Sequence, residues 1–145
     1  MGLRVGPRID LLQHSMWDIT EGRVLEWILF LVERRRVLWI HAAPTCTTFS
    51  VARQPPLRSR FCPWGYRRSC PITRQGNRLL KACLIIGTAV EKQDGLHFSM
   101  EHPASAYSWH CDAVALLFGK PSCSVVRYDV CAYQVTRDVA IQFDA

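Results

Sequence analysis

No acidic residue lies between Glu33 and Glu91. The same interval carries Arg34, Arg35, Arg36, Arg53, Arg58, Arg60, Arg67, Arg68, Arg74, Arg78 and Lys81. A segment so one-sided attracts polyanions, and the planar fork of arginine suits phosphate. Long apolar runs are also missing. None is longer than "WILFLV" from Trp27 to Val32, which is far too short to cross a bilayer. No charged-then-apolar leader opens the chain, which predicts an intracellular protein, nuclear or cytoplasmic, with reduced thiols. Gly6 stands where an N-myristoylation signal needs Ser or Thr, so no membrane partner is expected. The seven cysteines include no Cys-x-x-Cys pair. Cys62 and Cys70 flank "PWGYRRS", a spacing too wide for a usual zinc knuckle, so no metal is assigned. There is no Gly-rich phosphate loop of the P-loop type, no internal repeat and no low-complexity tract.

What is present suits a folded domain. A chain of 145 residues, 49% hydrophobic and 21% charged, can bury a real core, and residues 1–145 read as one domain. "VGPRID" (Val5 to Asp10) reads as the tail of a strand. Val24, Leu25, Trp27, Ile28, Leu31 and Val32 recur at helical spacing and predict a helix over 21–35, with Thr20 as its N-cap. "VLWIHA" (37–42) is a short buried strand. Residues 43–76 hold Pro44, Pro55, Pro56, Pro63 and Pro71 among many arginines and read as a long basic loop. A second helix is expected over 77–92, a strand over 96–100 and a helix over 105–118. Further strands are expected at "CSVVRYDV" (123–130) and "VAIQF" (139–143). Strands alternating with helices predict an α/β fold with a mostly parallel sheet.

In such a sheet the carboxyl ends of all strands share one rim, where ligands bind. Asp10, Cys46 and Glu101 each follow a predicted strand. A thiol beside a carboxylic acid is a chemically meaningful pair. The thiol adds to an electrophilic ring carbon while the acid hydrogen-bonds the acceptor end of the same ring. A thiol hydrolase built on Cys46 with His41 or His97 is the other catalytic option, but nothing in the sequence orients either imidazole.

"APTCTTFSVAR" (43–53) resembles the Pro-Cys motif of the cytosine-5 DNA methyltransferase family, and "FSMEHPAS" (98–105) resembles its Glu-Asn motif. "WDIT" (17–20) is similar to the family's Asp-containing cofactor motif, and "VGPRID" to the end of the strand whose acid holds the cofactor ribose. The order and spacing agree over about residues 1–135, closest to a divergent branch found in protists and mobile elements. The resemblance implies a Rossmann-like methyltransferase sheet and methyl transfer from S-adenosylmethionine to a cytosine flipped out of its duplex. Carried over, Cys46 is the nucleophile and Glu101 the acid. Asp10 holds the ribose, and Asp18 and Ile19 flank the adenine. Ser50 and Arg53 lie in the catalytic loop, with Arg53 suited to a phosphate. DNA is the implied partner, with RNA left open.

Several positions depart from that pattern. Thr45 stands where the family has a second proline, and His102 where it has asparagine. Gln134 and Arg137, in "DVCAYQVTR", are one position off the family's Gln-x-Arg-x-Arg spacing. Gly2 and Gly6 do not reproduce the Phe-x-Gly-x-Gly turn that cradles the methionine end of the cofactor. The chain therefore reads as an incomplete sheet, with a partner chain as one possible source of the missing elements. The rival expectation is a catalytically inactive fragment that binds nucleic acid non-specifically through its arginine-rich loop.

Overall fold

A computed structural model describes Val5, Gly6, Ile9 and residues 15–127. The fold is mixed α/β. Helix α1 spans Gly22–Glu33, strand β1 Trp39–Ala42, helix α2 Pro71–Glu91, strand β2 His97–Met100 and helix α3 Asp112–Phe118. Short 3-10 turns occupy Ser15–Trp17 and Tyr107–His110. β1 and β2 pair in parallel, with Trp39 opposite His97 and Ala42 opposite Met100. Parallel neighbours need a crossover, and α2 supplies it, so β1, α2 and β2 form one βαβ unit.

α2 is the central packing element because its apolar residues cover two faces. Leu80 and Leu84 join Phe49, Ala106, Cys111, Val114 and Leu117 in one buried cluster. Ile86 and Val90 join Val24, Ile28 and Val32 of α1 in a second. Phe98 of β2 packs against both. Its ring reaches α2 at Gly87, where an added Cβ would lie 2.6 Å from Phe98 Cε1. Glycine there is what lets helix and strand touch.

The elements differ from the sequence expectation at their ends. The N-cap of α1 is Glu21, not Thr20, and Glu21 makes no side-chain cap bond. The Thr20 N–H instead closes a turn onto Asp18 Oδ1 at 2.8 Å. α2 begins at Pro71, six residues' worth of chain earlier than the expected start at Asn77 suggests, and the basic loop ends at Cys70. Proline suits the first helical position, because its missing N–H has no intrahelical role there. The expected helix over 105–118 is split. Cys111 is extended (φ −72°, ψ 130°) and separates the 3-10 turn from α3. Residues 123–127 form no strand, and Val125 and Val126 are exposed. Val5 and Gly6 carry no regular structure. The predicted strand at 139–143 lies outside the described residues, as does the rest of 123–130 after Arg127.

Candidate functional site at the strand rim

The parallel pairing brings the ends of β1 and β2 side by side. The Glu101 N–H donates to the Ala42 carbonyl at 2.9 Å, which extends the ladder by one step. One residue further, His102 Nε2 bonds the Pro44 carbonyl at 3.0 Å. A carbonyl only accepts, so Nε2 carries the proton. Nδ1 is then an acceptor and takes the Ser108 hydroxyl at 2.6 Å. His102 is buried, with its ring edge-on to Phe49 and Trp109. Burial pushes its pKa below the ordinary value of 6.5. The residue that departs from the Glu-Asn pattern is thus a neutral clamp that ties the Pro-Cys segment to the Glu101 rim.

Cys46 lies in the turn that follows. Its carbonyl accepts from Phe49 N at 2.8 Å and Ser50 N at 2.9 Å, and the residue is half-buried. Phe49 anchors that turn in the core, and its carbonyl accepts from Tyr107 N at 2.9 Å. Behind the turn lies Arg58, which is 1% exposed. Its guanidinium caps the Phe49 ring at 3.7 Å. It donates to Thr48 O, Thr48 Oγ1, Pro63 O, Thr73 O and Asn77 Oδ1. Desolvation lowers its pKa to about 10. Read from sequence as one more surface cation, Arg58 is an interior brace. Gly76 leaves room for it: an added Cβ would lie 2.3 Å from Thr48 Oγ1 and 3.2 Å from Arg58 Nη2.

Glu101 is half-exposed and faces His41 Nε2 at 3.7 Å. His41 Nδ1 bonds Ser99 Oγ at 2.8 Å, and Trp39 Nε1 donates to the same oxygen at 2.9 Å. The indole only donates, so Ser99 Oγ accepts from Trp39, and the imidazole bridges this oxygen on its Nδ1 side and Glu101 on its Nε2 side. The sequence offers His41 as a partner of Cys46, whereas the structure sets it against Glu101. The alternation of β1 puts it on the open face of the sheet, opposite Ser99.

The remaining predicted residues separate into groups. Ser50 is half-buried and its Oγ accepts from Ala52 N at 3.2 Å. Arg53 is half-buried, three residues further along. Asp18 and Ile19 sit in the turn before α1, and Ile19 packs on the α1 cluster. Arg78 Nη2 donates to Thr20 O at 3.1 Å, which fastens that turn to α2. A cleft of about 510 Å³ runs between Thr45 and Thr47 on one side and the first half of α2 on the other. Asp10, Gln134 and Arg137 lie outside the described residues. The described residues contain no Phe-x-Gly-x-Gly turn. Among them, no group of three or more His, Cys, Asp or Glu side chains is placed to hold a metal ion. No helix among them is long and apolar enough to cross a membrane.

The class that fold and site define is a mixed α/β chain with a thiol turn and a carboxylate on adjacent parallel strand ends. Comparison with family models, curated proteins and solved structures finds no match.

Proposed function

We propose that the chain is a cytosine-5 methyltransferase-like domain of Rossmann-like type that engages cytosine in DNA through Cys46 and Glu101. The observation that carries this reading is the continuation of the β1–β2 ladder past Ala42. Glu101 N bonds Ala42 O at 2.9 Å and His102 bonds Pro44 O at 3.0 Å, so the thiol turn and the acid leave neighbouring strands at one rim. In this reading Cys46 Sγ bonds to ring carbon 6. The Glu101 carboxyl hydrogen-bonds ring nitrogen 3, which leaves carbon 5 nucleophilic. S-adenosylmethionine, when bound, would supply the methyl group that carbon 5 accepts, its sulfonium leaving as the neutral thioether. Loss of the carbon 5 proton to water and expulsion of the Cys46 thiolate then restore the ring. Asp18 and Ile19 are the adenine contacts, and Ser50 and Arg53 the loop contacts to the strand.

The test is covalent trapping. The chain is incubated with S-adenosylmethionine and a 5-fluorocytosine oligonucleotide, and adducts are read on a denaturing gel. The wild type gives a retarded band, Cys46→Ala gives none, and Glu101→Gln slows its appearance. A wild type that binds both ligands yet forms no adduct ends the catalytic reading.

A second reading rests on the acid-free stretch. Arg60, Arg67, Arg68, Arg74 and Arg78 are all exposed. A domain with no chemistry would still hold nucleic acid through them, with strong salt dependence.

A further inference from the structure

The cleft beside the Cys46 turn has a lining that neither the thiol nor the carboxylate accounts for. Thr45 and Thr47 form one wall, and Arg74, Gln75 and Arg78 of α2 form the other. Arg74 and Arg78 are one helical turn apart and so share a face. Both are exposed, and no carboxylate lines the cleft. Among the described residues the ion pairs are His41–Glu101 and Lys120–Glu91, so neither arginine is neutralised there. Arg78 uses one nitrogen on Thr20 O, which fixes the fork and leaves its other donors. The two threonine hydroxyls bond each other at 2.8 Å. One of them donates in that bond, so the other keeps its hydrogen to give outward. Pro71, Ile72 and Gly76 also line it, so the cleft sets two guanidinium groups and the threonine hydroxyls against an apolar floor, next to the residues that flank Cys46 in sequence.

We propose that this cleft is a phosphate subsite, which holds a phosphodiester of a nucleic-acid strand beside Cys46. Two guanidinium groups and a hydroxyl match the several oxygens of one phosphate. A cavity of this size admits a nucleotide unit. The site sits next to the strand rim, so a strand anchored here presents a neighbouring base to Cys46 and Glu101. The proposal rests on the nucleic-acid partner of the proposed function and not on methyl transfer, and it assigns that partner to Arg74 and Arg78 in addition to Arg53.

Fluorescence anisotropy of the full chain with a labelled single-stranded, cytosine-containing oligonucleotide tests it over a salt series. The Arg74→Gln/Arg78→Gln double variant is expected to bind about tenfold more weakly. The slope of log affinity on log salt should flatten by about 0.7, the value for the loss of one phosphate contact on a single strand. Arg74→Gln alone, which leaves the Arg78–Thr20 bond intact, should give half that flattening. Thr47→Val, which keeps the charge, should weaken binding about threefold. Arg67→Gln, an exposed arginine outside the cleft, should stay within about twofold of wild type. Equal losses in Arg74→Gln and Arg67→Gln overturn the subsite and leave a diffuse basic surface. Unchanged oligonucleotide affinity with loss of S-adenosylmethionine binding also overturns it, and assigns the cleft to a cofactor carboxylate. A wild type with no affinity for the oligonucleotide at low salt overturns the subsite and the nucleic-acid reading together.

Discussion

At the scale of single residues, the rim depends on side chains whose roles are not written in their types. His102 is the clearest. A histidine after a glutamate reads as a solvated or catalytic group, but here both ring nitrogens are spent, on Pro44 O and Ser108 Oγ. Burial is the main cause of its lowered pKa, opposed by the Pro44 carbonyl and by Glu101. The unfolded chain therefore takes up a proton on this residue at a higher pH than the folded one. Its contribution to stability is fully present above the unfolded value of 6.5 and is lost as pH falls through the folded value. Thermal melts of wild type between pH 7.5 and pH 5 should show a falling midpoint across that window. In His102→Asn the part of the fall due to this residue should vanish. Parallel curves for the two proteins would mean that other groups carry the acid sensitivity. Arg58 teaches the complementary lesson. Nothing in a run of arginines tells the interior one from the exposed ones. It is singled out only by Phe49, Thr48 and the gap at Gly76, which come together from distant parts of the chain.

At the scale of elements, α1, β1 and β2 were legible because each carries its periodicity within a few residues, but the burial expected of the 37–42 strand is not found: β1 alternates exposed and half-buried residues, and Trp39 is 62% exposed. The start of α2 was not, because proline and arginine read as loop. Only the caps reveal that Pro71 occupies the first turn. The cap itself makes a testable difference among the cysteines. Cys70 caps α2, and the N–H groups of Thr73 and Ile72 hold its thiol below the ordinary value, with Arg53 adding a smaller pull. Burial pushes Cys83 up to about 11 and Cys111 up to about 12. The thiolate is the reactive form, so the three should separate in rate. Limited alkylation with iodoacetamide near pH 7, followed by peptide mapping, should label Cys70 well before Cys83 or Cys111. Equal labelling of all three in the folded protein would mean that the α2 end does not hold its thiol as described. The break in the 105–118 helix has a comparable cause. Asp112 accepts from Ala113 N at 2.9 Å and from Trp64 Nε1 at 2.8 Å, so a helix starts there. The sequence held an acidic first-turn residue at that point, but its apolar periodicity ran through the break.

At the scale of the whole molecule, the alternation of strands and helices pointed to a parallel sheet, and β1, α2 and β2 are such a unit. The wider sheet was less legible because a strand needs a partner as well as a β-prone sequence. "CSVV" has the right letters, yet residues 123–127 pair with nothing in regular fashion and Val126 is 76% exposed. What holds the described part together is α2, which enters both buried clusters and meets β2 through Phe98. A helix shared in this way couples the clusters: neither can lose its packing without releasing one face of the other's main support. Leu80 is fully buried in the first cluster, and its truncation to alanine should cost about 2–5 kcal/mol. The coupling predicts that this loss also lowers the stability of α1, which Leu80 does not join in its cluster. Trp27 sits on α1, and Trp109 packs on the first cluster. Fluorescence melts of single-tryptophan variants that keep one or the other should superimpose in the parent, and Leu80→Ala should move both by the same amount. If the Trp27 signal kept its midpoint while the Trp109 signal moved, the clusters would unfold separately. The rim between Cys46 and Glu101 would then rest on the first cluster alone.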